Sequence, residues 1–398
     1  MSSQFSVPSS QSPTMRPFFR SRWVEPPEGV EELDPAQLAP GFRAAGVACG
    51  LKDGGSTDLG LLSCDSDGIS SALLLTRNAA AAAPVRVCRD ECEAGAIRAA
   101  VVNSGNANAA TGERGYRDAL AMRDAAAEAL EIQPRRIAVA ETGVIGVPLA
   151  IDAVRGGIAE AAEHLSERGG EGFARAIVTT DRSLKRCTLR RGGVTVSAQA
   201  KGAGMIEPGF ATMLCFVQTD GAVEDPAGEL RDAVAGSFER ITVDGQMSTN
   251  DTVLLQATGS ADAPLPSELL HSILLQLALE IVADGEGASR VARVTVEEAT
   301  SAQEADLVAR AVANSPLVKT ALYGRDPNWG RVAQAAGMAL AGEELDEPTL
   351  ETIDAVELGS DSAEAELRVR LGRGRDSAWV YFSDLTPDYV ELNSEYAT

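Results

Sequence analysis

Histidine is nearly missing from this chain of 398 residues: it occurs twice, as His164 and His271. Ser–His–Asp and Cys–His catalysis both need an imidazole within reach of the nucleophile. His164 lies among charges in AEAAEHLSER and reads as solvated, while His271 on an apolar helix reads as a core or boundary residue. GxSxG is absent, and two histidines so far apart cannot build an HExxH zinc site. Lysine is scarce as well. Lys52, Lys185, Lys201 and Lys319 are four of 35 basic residues, and the remaining 31 are arginine. Against them stand 58 acids, for a formal net charge of −23. A field of that sign disfavours nucleic acid and anionic membranes, which bind basic patches.

Cysteine is also thin. Cys49, Cys64, Cys88, Cys92, Cys187 and Cys215 are too few in so long a chain for a disulfide framework. Cys88 and Cys92 lack the His or second Cys pair of a zinc site, so reduced thiols and no metal are expected. Long apolar runs are missing too. The most apolar one, residues 269–283, is interrupted by His271, Gln276 and Glu280 and reads as a buried helix rather than a membrane span.

What is present is an ordinary globular balance, 44% hydrophobic and 23% charged, long enough for two domains or one large α/β unit. Residues 1–40 are rich in Ser and Pro and read as a disordered extension. Residues 1–24 carry no acid but hold Arg16, Arg20 and Arg22, which partly fits a mitochondrial transit peptide. The plainer reading is an extension upstream of a start at Met15, with a cytoplasmic enzyme behind it.

Beyond residue 40, strands and amphipathic helices interleave. Strands are predicted at residues 97–103, 137–141, 252–256 and 291–296, and a hairpin over 187–198 turns at Gly192-Gly193. Helices are predicted at 116–130, after Pro148, at 265–283 and at 302–313. KTALYGRDPNWGR reads as a turn opening into a helix over 332–341, and residues 365–371, 378–382 and 389–392 as closing strands. Hairpins mixed with helices argue for an α+β layered fold rather than a doubly wound parallel sheet.

A nucleophile that needs no histidine is a chain-terminal Ser, Thr or Cys whose own α-amine serves as base. The unperturbed α-amine, with a pKa of about 7.7–8.0, suits that work near neutral pH. Met1-Ser2 sits on the extension, so cleavage would have to expose such a residue. Ala211-Thr212 in KGAGMIEPGFATMLCFV is the candidate. Pro208-Gly209 forces a turn, and a β-branched hydroxyl residue then opens an apolar strand, with Lys201 eleven residues upstream. The competing structural reading is an ordinary turn from a Gly-rich loop into a strand.

KGAGMIEPGFATML resembles the cleavage-site signature of the ornithine acetyltransferase family, the glutamate N-acetyltransferases of arginine biosynthesis. VVNSGNANAATG, ETGVIGVPL, VTTDRSLK, ITVDGQMSTNDTVLL, DGEGASR, KTALYGRDPNWGR and YVELNSEYAT are similar to family segments in family order, over roughly residues 40–398. The resemblance implies self-cleavage between Ala211 and Thr212, an α chain over 41–211 and a β chain over 212–398. It implies an αββα sandwich, an (αβ)2 heterotetramer and Thr212 as nucleophile. Thr142 and Gly143 match the oxyanion hole. Lys201, Glu286, Asn393 and Thr398 match substrate-binding positions, as does one threonine of VTTD, with Thr179 preferred over Thr180. No metal or resident cofactor is implied, and acetyl-CoA enters as a second acetyl donor if the enzyme is bifunctional. Lys201 suits the α-carboxylate of N-acetylornithine or glutamate, and Glu286 the ornithine ammonium.

Some positions depart from the family pattern. Glu141 stands where a small Ser is common, and a carboxylate there would oppose an oxyanion unless it points away. Ala110, Phe210 and Ser289-Arg290 replace a Cys, a Met or Leu, and a Thr-Lys pair. Asp326–Arg331 reads as a turn and helix cap, with Arg331 an outside candidate for carboxylate contact. Two rival functions share much of this: an N-terminal-nucleophile aminopeptidase or amidase on the same scaffold, and an uncleaved, non-enzymatic binding protein.

Overall fold

The computed structural model describes residues 17–207, 213–342 and 352–395. Three sheets form among the described residues. A four-stranded sheet runs Phe42–Val47, Leu59–Cys64, Ala99–Asn106, Ile137–Val144, its last pair parallel. A six-stranded sheet runs Glu31–Glu32, Lys185–Arg191, Val194–Lys201, Leu214–Thr219, Thr252–Ala257, Ser70–Leu75. Leu59–Cys64, Leu214–Thr219 and Thr252–Ala257 are buried on both faces and accordingly read as near-continuous apolar runs.

The two sheets face each other. Phe216 and Leu254 of the larger sheet share one core with Leu61, Val101 and Val139 of the smaller, and Phe173 meets Phe216 edge-on at 5.2 Å. Helices Ala83–Glu91, Gly112–Leu130 and Ile151–Glu163 complete this core on the outside of the four-stranded sheet. The far face of the six-stranded sheet is covered by Pro226–Ala235 and Ser267–Ala283. This is the α+β layering the sequence led us to expect. Beyond it lies a five-stranded sheet, Ile241–Thr242, Asp376–Ser383, Val291–Ala299, Glu364–Arg370, Ile353–Asp354, packed on Ala302–Ala313, Pro316–Gly324 and Trp329–Ala339. Ser267–Ala283 buries eleven residues, apolar nearly all round, because it lies under one sheet and against Tyr381 of another.

Four expectations change. Residues 17–40 are not a loose extension. Phe18, Ser21 and Val24 are buried, Arg20 N and Ser21 N donate to Gln276 Oε1 at 3.2 and 3.3 Å, and Trp23 Nε1 donates to Glu366 at 3.0 Å. Gln276, a polar break in the apolar run, is there to catch this strap. Residues 389–392 form part of a helix, Pro387–Glu395, because Pro387 suits a first helical turn and the Thr386 hydroxyl accepts from Tyr389 N at 3.3 Å. The same logic makes Pro316–Gly324 a helix where a turn was read: Pro316 follows Ser315, whose side chain caps Val318 N. His271, read as core or boundary, is exposed, and His164 ends its helix exposed.

Candidate active site

A cavity of about 210 Å³ opens where the two facing sheets, the 202–207 loop and the last helix meet. Thr142, Gly143, Thr179, Thr180, Lys201, Glu286 and Asn393 all line it. Residues drawn from across 250 positions of the chain therefore converge on one place. Ala211, Thr212 and Thr398 lie outside the described residues. The backbone beside Thr212 is fixed nonetheless: Met213 N donates to Asp251 Oδ1 at 3.1 Å, and Leu214 pairs with both Lys201 and Thr252.

Thr142 and Gly143 sit at the end of Ile137–Val144, where the parallel pairing with Ala99–Asn106 becomes irregular at Gly105 and Asn106. Gly143 has φ +131°, and a Cβ there would come within 2.4 Å of Gly105 C, so only glycine lets the strands close up at this point. Thr142 is buried, and its Oγ1 lies 3.3 Å from Lys201 Nζ. An ammonium that donates to the hydroxyl leaves the hydroxyl proton free to point at a ligand oxygen.

Strand alternation resolves the question of Glu141. Successive side chains face opposite ways, and Glu141 points into the protein, where it accepts from Asn103 Nδ2 at 2.7 Å and Asn108 Nδ2 at 2.9 Å. Burial, opposed by these two amides, pushes its pKa up to about 7. The folded protein therefore holds a proton between about 4.5 and about 7 that the unfolded chain has already lost. Stability is fullest below that window and falls by about 3 kcal/mol as the pH rises through it. Glu141→Gln, which stays neutral, is expected to flatten this part of the pH–stability curve, read from urea unfolding at about pH 5 and about pH 8.

Lys201 is buried, donates to Thr179 Oγ1 at 2.8 Å, and lies 4.0 Å from Asp181. Burial lowers its pKa below the ordinary lysine value and Lys185 adds to that, while Asp181 works against it. Asp181 is the hinge of a network that sequence reasoning missed. Lys185 Nζ bridges Asp181 at 2.7 Å and Asp284 at 2.6 Å, all three side chains buried, and Gly202 N donates to Asp181 at 2.8 Å. Burial alone would raise Asp181, but Lys201 and Lys185 hold it down to about 2. The signal was present: Asp181 and Lys185 stand inside VTTDRSLK, and Lys185 is one of only four lysines.

The other end of the cavity is anionic. Glu286 accepts from Thr180 Oγ1 and from Asn393 Nδ2, both at 2.9 Å. Gly204 makes room for it, since a Cβ at that position would lie 2.5 Å from the Glu286 carboxyl carbon. Thus Thr179 serves the lysine and Thr180 the glutamate. Asp244, also unread from the sequence, accepts from Met205 N at 2.7 Å and Ile206 N at 2.9 Å, holding Met205 at φ +54° on the cavity wall. Arg331 points elsewhere, donating to Leu317 O at 2.9 Å and Thr320 Oγ1 at 3.2 Å. The arrangement offers a cation, a carboxylate and a hydroxyl–glycine pair around one small cavity.

Residues 43–398 match the model of the ArgJ family. The arginine biosynthesis bifunctional protein ArgJ of Symbiobacterium thermophilum is 43% identical, covering 93% of this chain and all of that one. The proteins of the same name from Geobacter sulfurreducens and Archaeoglobus fulgidus are each 42% identical, covering 90% and 89% of this chain and 99% and 98% of theirs. The ornithine acetyltransferase of Mycobacterium tuberculosis, solved with ornithine, is 38% identical over 45% of this chain and 98% of that chain, with a TM-score of 0.43. On the family match and the near full-length relatives, this chain belongs to the ArgJ family.

Proposed function

We propose that the protein is a self-cleaving acyltransferase of arginine biosynthesis that moves the acetyl group of N2-acetylornithine to glutamate through an acetylated Thr212. Arginine biosynthesis and a dual activity are in the names of its full-length relatives. The observation that carries the reading is the convergence of Thr142, Gly143, Lys201, Glu286 and Asn393 on one cavity beside the start of Leu214–Thr219. Cleavage between Ala211 and Thr212 frees the Thr212 amine to act as base for its own hydroxyl. The hydroxyl attacks the acetyl carbonyl, whose oxygen takes up negative charge between the Thr142 hydroxyl and the Gly143 N–H. Lys201 holds the α-carboxylate and Glu286 the side-chain ammonium of ornithine. Ornithine leaves with the proton, and glutamate then takes the acetyl group by the reverse steps. All of this chemistry runs on protein groups, with no resident cofactor. Acetyl-CoA is a second donor at the same threonine, in keeping with the bifunctional relatives. Two cleaved chains from each of two precursors form the working (αβ)2 assembly, with residue 398 at the substrate.

The test is ornithine release from N-acetylornithine with and without glutamate. Sustained release that depends on glutamate, with one N-acetylglutamate formed per ornithine, is expected. Sustained release indifferent to glutamate would instead mark an amidase on this scaffold.

A further inference from the structure

The groups gathered at the cavity belong to two separate sheets. Thr142 and Gly143 end a strand of the four-stranded sheet, whereas Met213 leads into a strand of the six-stranded one. Acyl transfer needs the oxyanion donors held at a fixed distance from the nucleophile. Residues 250–252 span that gap. Asn250 is buried and uses both Nδ2 hydrogens, one on Ala107 O at 2.7 Å and one on Glu141 O at 2.8 Å. Glu141 directly precedes Thr142, and Ala107 N donates to Val144 O, just past Gly143, at 2.9 Å. One carboxamide therefore clamps the backbone on both sides of the pair.

The next two residues grip the other sheet. Asp251 Oδ1 accepts from Met213 N at 3.1 Å, Thr252 N donates to Met213 O at 3.2 Å, and Thr252 pairs with Leu214. Although Asn250 lines the cavity, both its amide hydrogens are taken by the protein, and its Oδ1 accepts from Thr249 Oγ1 at 2.6 Å. It is thus built to position rather than to bind. Two N–H donors on one short, neutral stem are what the place requires. A carboxylate offers none and a hydroxyl only one.

We propose that Asn250 is a positioning residue for acetyl transfer, fixing Thr142 and Gly143 relative to the strand that follows Thr212. This rests on the reading of Thr212 as nucleophile. A misplacement of about 1 Å between reacting groups costs on the order of 100-fold in rate.

Asn250→Asp keeps the shape but removes both donors, and Asn250→Ala removes the side chain. Each is purified, its cleaved fraction counted by intact mass, and its rate expressed per cleaved molecule. For both variants kcat is expected to fall about 10- to 100-fold, with KM for N-acetylornithine within about twofold. Thr142→Val alone should cost on the order of 10²- to 10³-fold. Combined with Asn250→Ala, it should lose little more than it does alone, because both act on one oxyanion. The inference is overturned by losses that multiply in the double variant, by a raised KM at unchanged kcat, or by wild-type rates. It is also overturned if neither Asn250 variant is cleaved, since the tie would then serve processing rather than transfer. Peptide mass of the wild type in the same experiment separates the two ideas. No acetyl on Thr212 would fell the nucleophile reading and this inference with it, whereas acetyl-Thr212 beside fully active Asn250 variants would fell this inference alone.

Discussion

Thr212→Ala is expected to remain one uncut chain of 398 residues and to lose acetyl transfer by at least about 10³-fold. Under the proposed function both losses fall together, because one residue would carry cleavage and transfer alike. The hydroxyl attacks the Ala211 carbonyl, so that the amide becomes an ester and frees the Thr212 amine. Water then hydrolyses the ester to open the chain, and that amine serves the hydroxyl in transfer. The remaining groups of the cavity would still bind an acetylated amino acid, since Lys201, Glu286 and Asn393 are held by partners of their own. KM or a direct binding measurement on the variant should therefore change little while turnover disappears. Thr212→Ser separates the effects further, keeping hydroxyl and amine and retaining both cleavage and turnover. Intact mass on the purified variants, read beside the transfer rate, checks all of this.

The second large effect is on stability. Lys185→Met is expected to destabilise the fold by about 3–5 kcal/mol, because it leaves Asp181 and Asp284 as buried carboxylates without the ammonium between them. Methionine fills nearly the same space, so a cavity does not account for the loss. Some of the charge is answered elsewhere: Asp284 also pairs with Arg182 Nε at 3.3 Å and accepts from Arg182 N at 3.0 Å and Ser183 N at 3.3 Å, and Asp181 has Lys201 at 4.0 Å. That second contact extends the effect into the site. With Lys185 gone, Asp181 competes harder for Lys201, drawing it from Thr142 and Thr179, and KM for N-acetylornithine should rise. Urea unfolding gives the first quantity and initial rates the second. A double variant, Lys185→Met with Asp284→Asn, removes one of the two carboxylate charges left without Lys185 and should recover part of the stability.

The lysines show how composition and structure meet. Lys185, Lys201 and Lys319 are buried, and Lys52 is half-buried, donating to Val178 O at 2.7 Å and Thr57 O at 3.2 Å. Lysine is rare here because the surface uses arginine for its ion pairs, and the lysines are left for interior work. Scarcity drew attention to Lys201 in the sequence. The same reasoning extended to Lys185 would have found the Asp181–Lys185–Asp284 network.

Much of the fold was legible because its signals are local. The hairpin of Lys185–Arg191 and Val194–Lys201 turns at Gly192-Gly193, both at positive φ, as two adjacent glycines between apolar runs suggest. Ser267–Ala283 and Ala302–Ala313 fall where apolar spacing put them. Residues 389–392 misled because YVEL is a short, mostly apolar run with too few residues to show a helical period, and the deciding Pro387 and Thr386 precede it. The site was legible only as a set of segments. Nothing in ETGVIG by itself says that Glu141 turns away and Thr142 turns in, since that depends on which face of Ile137–Val144 meets the second sheet. Asn250 and Asp244 were unread for a related reason: the backbone atoms they hold in the site lie 38 to 143 residues away, and a sequence does not display such contacts.

On the proposed function, the acetyl group rests on Thr212 between donor and acceptor. The protein, mixed with N-acetylornithine in the absence of glutamate and quenched in acid, should yield a peptide beginning at Thr212 that carries one acetyl group. That group should vanish on adding glutamate, with N-acetylglutamate appearing in equal amount. A Thr212 peptide that stays unmodified while acetyl transfer proceeds at full rate would mean that the acetyl group does not pass through Thr212.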